Sequence, residues 1–329
     1  MRTLAAGVVL LIGVVAGPAA AAPAPLEDAR AAAEHTSFDG VLEVRWRDVD
    51  GMHVERLTVQ AAAGALMVTG ANQVMARPAL GRLVAHAGGG WQEIWLPSVA
   101  PAPRPDGVPK YATTAFTPGP PVAGRPTKVV DIRHNDRVVE RLYLDSETQL
   151  LLERDQFDAD GNVTRTLAFA SLTLNPGEQP PPAPASPANH APDEVSPSRL
   201  PSPAAAPPTL PDGYQRTGIY RSGPVAQALY SDGVYDLSVF QQRGRLRTSD
   251  LPATGEPVQL AGATGRRYTW PGGQVVVWAR GGTVFTAVSD APLDQVVTAV
   301  RSLPLVSTRE LSFLGKVRRA CQALMEPLS

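Results

Sequence analysis

The 329-residue chain contains a single cysteine, Cys321. That excludes an internal disulfide framework, a zinc-finger ligand set and a Cys-x-x-Cys redox pair. An excess of charge is missing too: 31 acidic and 30 basic side chains leave a formal net charge of −1. No basic field exists to gather nucleic acid. The histidines are scattered at His35, His53, His86, His134 and His190, and none has a histidine or cysteine neighbour at metal-ligand spacing. No G-x-S-x-G elbow is present, nor a G-x-x-x-x-G-K or G-x-G-x-x-G phosphate loop. Asp158, Asp160 and Gly161 suggest a calcium loop, but placing Gly161 sixth puts Gln156 first and Leu167 twelfth, where acidic ligands are required. A hairpin turn fits better. These absences point away from an enzyme, and neither a cofactor nor a metal is expected.

Hydrophobic residues make up 43% and charged residues 19%, a balance that suits globular material. The length favours two domains. Met1-Arg2, an apolar run from Leu4 to Gly17 and small residues through Ala22 describe a secretory signal peptide, residues 1–21, cleaved after Ala21. The run falls short of the roughly 20 apolar residues of a membrane span and is interrupted by Pro18. No other stretch approaches that length.

Proline is abundant instead, at 33 residues, and 13 of them lie between Pro176 and Pro211. Proline removes an amide donor and fixes φ, so this run predicts neither sheet nor helix. It reads as a semi-rigid tether, residues 176–211, reaching about 3.1 Å per residue where extended. The tether separates a first body, residues 22–175, from a smaller second one, residues 212–329.

In the first body, Leu26 to His35 predicts a short helix. Leu42, Val44 and Trp46 then alternate with Glu43, Arg45 and Arg47, the period of a half-buried strand. Hairpins are expected around Asn135-Asp136 and around Asp158 to Gly161, with a proline-rich loop from Pro97 to Pro126. In the second body, Asp232-Gly233 and Pro271-Gly272-Gly273 mark turns of a meander. A helix follows over Leu293 to Leu303, with Asp290 as a possible N-cap. Ser307 to Met325 predicts another, carrying Leu311, Leu314, Val317, Cys321 and Leu324 on one side. Lys316, Arg318 and Arg319 form a compact basic cluster there. It is either a solvated helix face or a contact for an acidic partner or anionic headgroups. The fold class is α+β throughout.

Two sets of residues resemble a known family. LPDGYQRTGIYRS (Leu210 to Ser222) and ALYSDGVYDLSVFQQ (Ala228 to Gln242) resemble the opening of the C-terminal domain of the RseB/MucB regulators. VAGRPTKVVDIR and RLYLDSETQLLLERDQFDADGNVTRTLAFASL resemble their N-terminal domain, as does Phe38-Asp39-Gly40. The resemblance implies a periplasmic negative regulator of the envelope stress response. Such a protein binds the periplasmic part of a membrane-spanning anti-sigma factor of the RseA/MucA type and shields it from proteolysis. Lipid or lipopolysaccharide binding then releases it.

It also implies a first domain like LolA and LolB, a half-open antiparallel β-barrel with helices. A concave apolar face binds acyl chains by burial alone, at about 0.8 kcal/mol per CH₂. Trp46, Trp91, Ile94, Trp95 and Leu142 are then candidates for lining it, or else they pack the core. Tyr230, Ser231, Asp232 and Gly233 form either a tight turn or a partner contact. A periplasmic lipid or lipoprotein carrier is the alternative reading, and a homo-oligomer is left open.

Overall fold

The structure, a computed structural model, describes residues 24–48, 50–62, 65–69, 74–77, 84–87, 90–93, 110–175, 193–200, 204–247, 249, 251–260, 262–270 and 273–303. The expected signal peptide, Ile94 and Trp95, most of the tether and the helix expected over Ser307 to Met325 lie outside these residues, as do Lys316, Arg318 and Arg319. No described helix is long and apolar enough to cross a membrane.

Helix α1 (Ala24–His35) leads into β1 (Phe38–Asp48) and its partner β2 (Gly51–Ala62). Leu42, Val44 and Trp46 are buried while Arg45 and Arg47 are exposed, the alternation their spacing predicts. Four short strands extend this side: β3 (Ala65–Thr69), β4 (Val74–Arg77), β5 (Val84–Ala87) and β6 (Gly90–Glu93). On the other side of β1 lie β12 (Val163–Leu174), β11 (Leu151–Phe157), β10 (Arg137–Asp145), β9 (Arg125–His134) and the two-residue β7 (Ala112–Thr113). Every pairing is antiparallel. Asn135 and Asp136 both take positive φ, 49° and 62°, the backbone that closes a two-residue hairpin between β9 and β10. Asp158 closes the next turn, its Oδ1 accepting from the amides of Asp160 and Asn162 at 2.9 and 2.8 Å.

The proline-rich loop is in part a strand. β8 (Thr117–Val122) pairs with β9 despite Pro118, Pro120 and Pro121, because it lies off the main strand path and most of its amides need no partner. Gly119 makes the pairing possible, since a Cβ there would lie 2.3 Å from Val129 Cγ2 and 2.5 Å from Thr127 Oγ1. The sheet's outermost strands, β6 and β7, do not pair among the described residues, so it is not a closed barrel.

The second sheet runs β13 (Asp193–Glu194), β14 (Gln215–Ser222), β15 (Val225–Ser231), β16 (Asp236–Arg243), β20 (Thr283–Ser289), β19 (Gly273–Arg280), β18 (Ala263–Trp270) and β17 (Glu256–Leu260). Helix α2 (Leu293–Arg301) packs on it through Val296, Val297, Ala299 and Val300. Its N-cap is Pro292, not Asp290, which is engaged elsewhere. Two helices against twenty strands make the described chain mostly β, with less helix than an α+β class suggests.

The later part of the tether is also more ordered than its proline content predicts. Asp193 and Glu194 pair with β14, and the Ala205 amide and carbonyl bond the Gln241 side chain at 2.9 and 2.7 Å. Leu210 is buried. Side-chain acceptors and apolar burial stand in for the ladder that proline cannot join.

Three hydrophobic clusters result among the described residues, the smallest being Tyr268, Val275, Val277 and Val284 within the second sheet. One belongs to the first sheet, with Phe38, Leu42, Val44, Trp46, Leu57, Val59, Leu152, Leu167 and Phe169. The third is shared: Val130, Ile132, Leu142 and Leu144 of the first sheet pack with Tyr214, Leu237, Val239, Val296 and Val300 of the second. Each fully buried aliphatic side chain contributes about 1.5–3 kcal/mol, so the shared cluster holds the sheets together.

Candidate functional site: the junction between the two sheets

Residues facing one another across neighbouring strands share a sheet face. Register therefore assembles a row over five strands, Glu140, Gln156, Arg165, Trp46 and His53. The first four are buried, and His53 ends the row part-exposed, its ring stacked on Trp46 at 5.2 Å and its Nε2 2.7 Å from Asp48 Oδ1. Arg154 lies beside the row and gives both arms of its guanidinium to the Glu140 carboxylate.

Asp290, just past the end of β20, inserts from the second sheet. Its backbone carbonyl accepts from Gln156 Nε2 at 2.7 Å and Arg165 Nη2 at 3.0 Å. Its carboxylate accepts from the Asp236 amide at 2.9 Å and stands 3.5 Å from Arg154. Burial pushes the Asp290 carboxyl above its ordinary range, although Arg154 and Arg165 oppose the shift. Burial, and then the nearby Arg154 charge, pull the Arg165 guanidinium down. Against the same burial, Glu140 and Asp290 hold Arg154 up.

A second polar contact joins the sheets close by. Lys110 Nζ and the Tyr111 hydroxyl both donate to Asp232 Oδ2, the latter at 2.6 Å. The other carboxylate oxygen accepts from the amides of Val234 and Tyr235 at 3.0 and 2.8 Å, closing the turn with Gly233 at φ 98°. The Tyr235 ring meets the Tyr111 ring edge-on at 6.2 Å, and Lys110 Nζ sits 4.7 Å from the centre of Tyr111 and 5.5 Å from that of Tyr214. Burial raises the Tyr111 and Tyr235 hydroxyls well above their ordinary range. These hydroxyls stay protonated and act as donors.

The residues singled out from sequence are thus divided. Tyr230, Ser231 and Asp232 are buried, and with Gly233 they build the turn that the junction uses. Trp46 belongs to the first sheet's own cluster and Leu142 to the shared one. Trp91 falls in β6, its backbone opposite His86.

Sequence reading missed Lys110, Glu140, Arg154, Arg165 and Asp290. One signal was available for three of them. Glu140 precedes Leu142 and Leu144, Arg154 follows Leu152, and Arg165 precedes Leu167 and Phe169, all at apolar strand positions. A charge in the apolar register asks for a buried partner.

No group of three or more His, Cys, Asp or Glu side chains that could hold a metal occurs among the described residues. A cleft of about 380 Å³ beside β8 is lined by Thr114, Pro118, Pro120, Val129, Arg141 and Tyr143, with Arg141 paired to Asp131 at 2.6 Å.

A family model for the MucB/RseB N-terminal domain matches residues 43–203. Residues 43–203 are a MucB/RseB N-terminal domain. Its fold is similar to MucB in the complex of Pseudomonas aeruginosa MucA and MucB, with 20% identity and a TM-score of 0.46 over 88% of this chain and 99% of that one. MucB in complex with MucA(peri) gives 21% identity and a TM-score of 0.46 over the same shares. A LolA superfamily protein of Nitrosomonas europaea is similar at 11% identity, with a TM-score of 0.20 over 84% of this chain and 97% of that one. No curated protein sequence matches. The MucB/RseB match covers β2 to β12 entire and reaches past β13, whereas Asp232, Asp236 and Asp290 of the junction lie outside it.

Proposed function

We propose that the chain is a periplasmic regulator that binds the periplasmic part of a membrane-spanning anti-sigma factor and shields it from proteolysis. The match of residues 43–203 to the MucB/RseB N-terminal domain carries this reading. The first sheet is the lipid-sensing domain of the scheme, a half-open barrel of LolA type. The second sheet contributes to anti-sigma binding. Lipid or lipopolysaccharide binding loosens the contact and releases the partner.

The junction supports the scheme physically. A switch requires two arrangements whose free energies a ligand can bias by its differential affinity. Buried polar contacts held between two sheets suit such a role, because they are strong when complete and costly when half made.

The test mixes the chain from residue 22 onward with the periplasmic part of an RseA/MucA-type anti-sigma factor of the same organism. A complex on gel filtration and slower cleavage of that partner by its protease are expected. Acyl-chain lipid should then dissociate the complex. Absence of any complex overturns the regulator, and a complex that lipid leaves intact overturns the release step alone.

A further inference from the structure

Arg165 is 5% exposed, yet its Nε and Nη1 hydrogens meet no acceptor among the described residues. Its one hydrogen bond is to the Asp290 backbone carbonyl. Trp46, its register partner on β1, is 9% exposed, and the indole N–H is likewise without an acceptor. Three unmatched donor nitrogens, two of them on one guanidinium cation, therefore stand side by side on one sheet face. Buried donors in folded proteins are nearly always matched, and a guanidinium cannot discard its proton to escape the cost.

The neighbouring carboxylates do not supply the missing acceptor. Glu140 is taken by both arms of Arg154 and by Gln156. The Asp290 carboxylate faces the Asp236 amide and Arg154. Asp48 is held by His53. All three lie within electrostatic reach or one row position, but none bonds Arg165 among the described residues.

We propose that Arg165 and Trp46 form a subsite for one anionic oxygen group, a carboxylate or a phosphate, at the junction of the two sheets. One free N–H of the guanidinium gives such an anion a charge-assisted hydrogen bond, and the indole N–H adds a second from the adjacent strand. The row ends at part-exposed His53, stacked on Trp46, so the pair lies one row position from solvent. Such a site requires no anti-sigma factor and stands whether or not the regulatory reading does. An acyl-chain anion and a free anion present the same group, and they differ only in the apolar part.

Binding is measured by calorimetry and by the rise in Tm for the chain from residue 22 onward. The probes are inorganic phosphate, acetate, dodecanoate, dodecyl phosphate and uncharged dodecanol. Saturable binding of at least one anion is expected, weakened about ten-fold or more in Arg165→Met, where a charged hydrogen bond is lost. Trp46→Phe keeps the ring and removes only the N–H, so it reports even if Arg165→Met does not fold, and it should weaken the same anion several-fold. Phosphate or acetate binding identifies a free-anion site, and binding of dodecanoate or dodecyl phosphate alone identifies a lipid headgroup. Dodecanol binding as tightly as dodecanoate, no binding of any anion, or equal affinity in the wild type and Trp46→Phe overturns the proposal. So does a crystal structure grown with the anion that shows only ordered water on Arg165.

Discussion

Lys110 and Asp232, separated by 122 residues, form an ion pair in which the side chains are 5% and 0% exposed. Lys110 lies just before β7 and Asp232 just after β15, so the pair links the two sheets, and the Tyr111 hydroxyl shares the same carboxylate oxygen. Breaking such a buried pair from one side leaves a charge without its counterion, which costs about 3–5 kcal/mol. Lys110→Met should therefore lower unfolding free energy by roughly that amount in urea titrations. Adding Asp232→Asn, which keeps an oxygen for the Val234 and Tyr235 amides, should restore part of the loss. A cost below about 0.5 kcal/mol for Lys110→Met would place the pair among surface contacts.

His134 gives the junction a pH dependence. Burial first, and the Lys110 charge second, hold the imidazole below its ordinary value of 6.5, while Asp232 and Asp212 pull the other way. Its ring packs on Tyr111 at 5.6 Å. A base whose folded-state pKa is depressed binds fewer protons when folded. Its contribution is complete above the unfolded value and is lost as pH falls through the folded one. Unfolding free energy should decline from about pH 7 downward, and His134→Gln should flatten that slope. An unchanged slope in the variant would assign the effect to other groups.

Gly273 controls where Asp290 sits. Its φ is +134°, and a Cβ there would lie 2.1 Å from the Ser289 carbonyl oxygen and 2.7 Å from Asp290 Cα. Gly273→Ala must push the β20 end away, and with it the carbonyl that Gln156 and Arg165 share. A loss of about 1–3 kcal/mol is expected, with amide chemical-shift changes reaching β11 and β12. Changes confined to β19 and β20 would mean that Asp290 is positioned independently.

Much of the strand plan was legible because its causes are local. Asn135-Asp136 and Asp232-Gly233 announce tight turns whatever surrounds them, and the β1 alternation declares its own buried face. The junction was not legible, because Arg154 and Asp290 are 136 residues apart and neither is unusual in its own window. Asp290 even reads as a helix cap by its position before Leu293. Tertiary contact moved that role to Pro292 and gave the carboxylate to the Asp236 amide. The proline run misled in the same way, since the Gln241 side chain that orders Ala205 as both donor and acceptor lies on β16.

The shared cluster and the Arg154 contacts together predict how the sheets unfold. Leu142 and Leu144 pack with Tyr214 and Leu237, so neither sheet completes its core alone. Urea should unfold both in one transition, followed by amide signals from each sheet. Arg154→Ala leaves Glu140 buried without its cation and removes the guanidinium that pairs with the Asp290 carboxylate. That loss, about 3–5 kcal/mol, falls on the contact between the sheets. The transition should then split, with β13 to β20 and β1 to β12 losing structure at different urea concentrations. If Arg154→Ala shifts a single midpoint with both sheets still coincident, the apolar cluster alone couples them, and the polar junction only orients one sheet on the other.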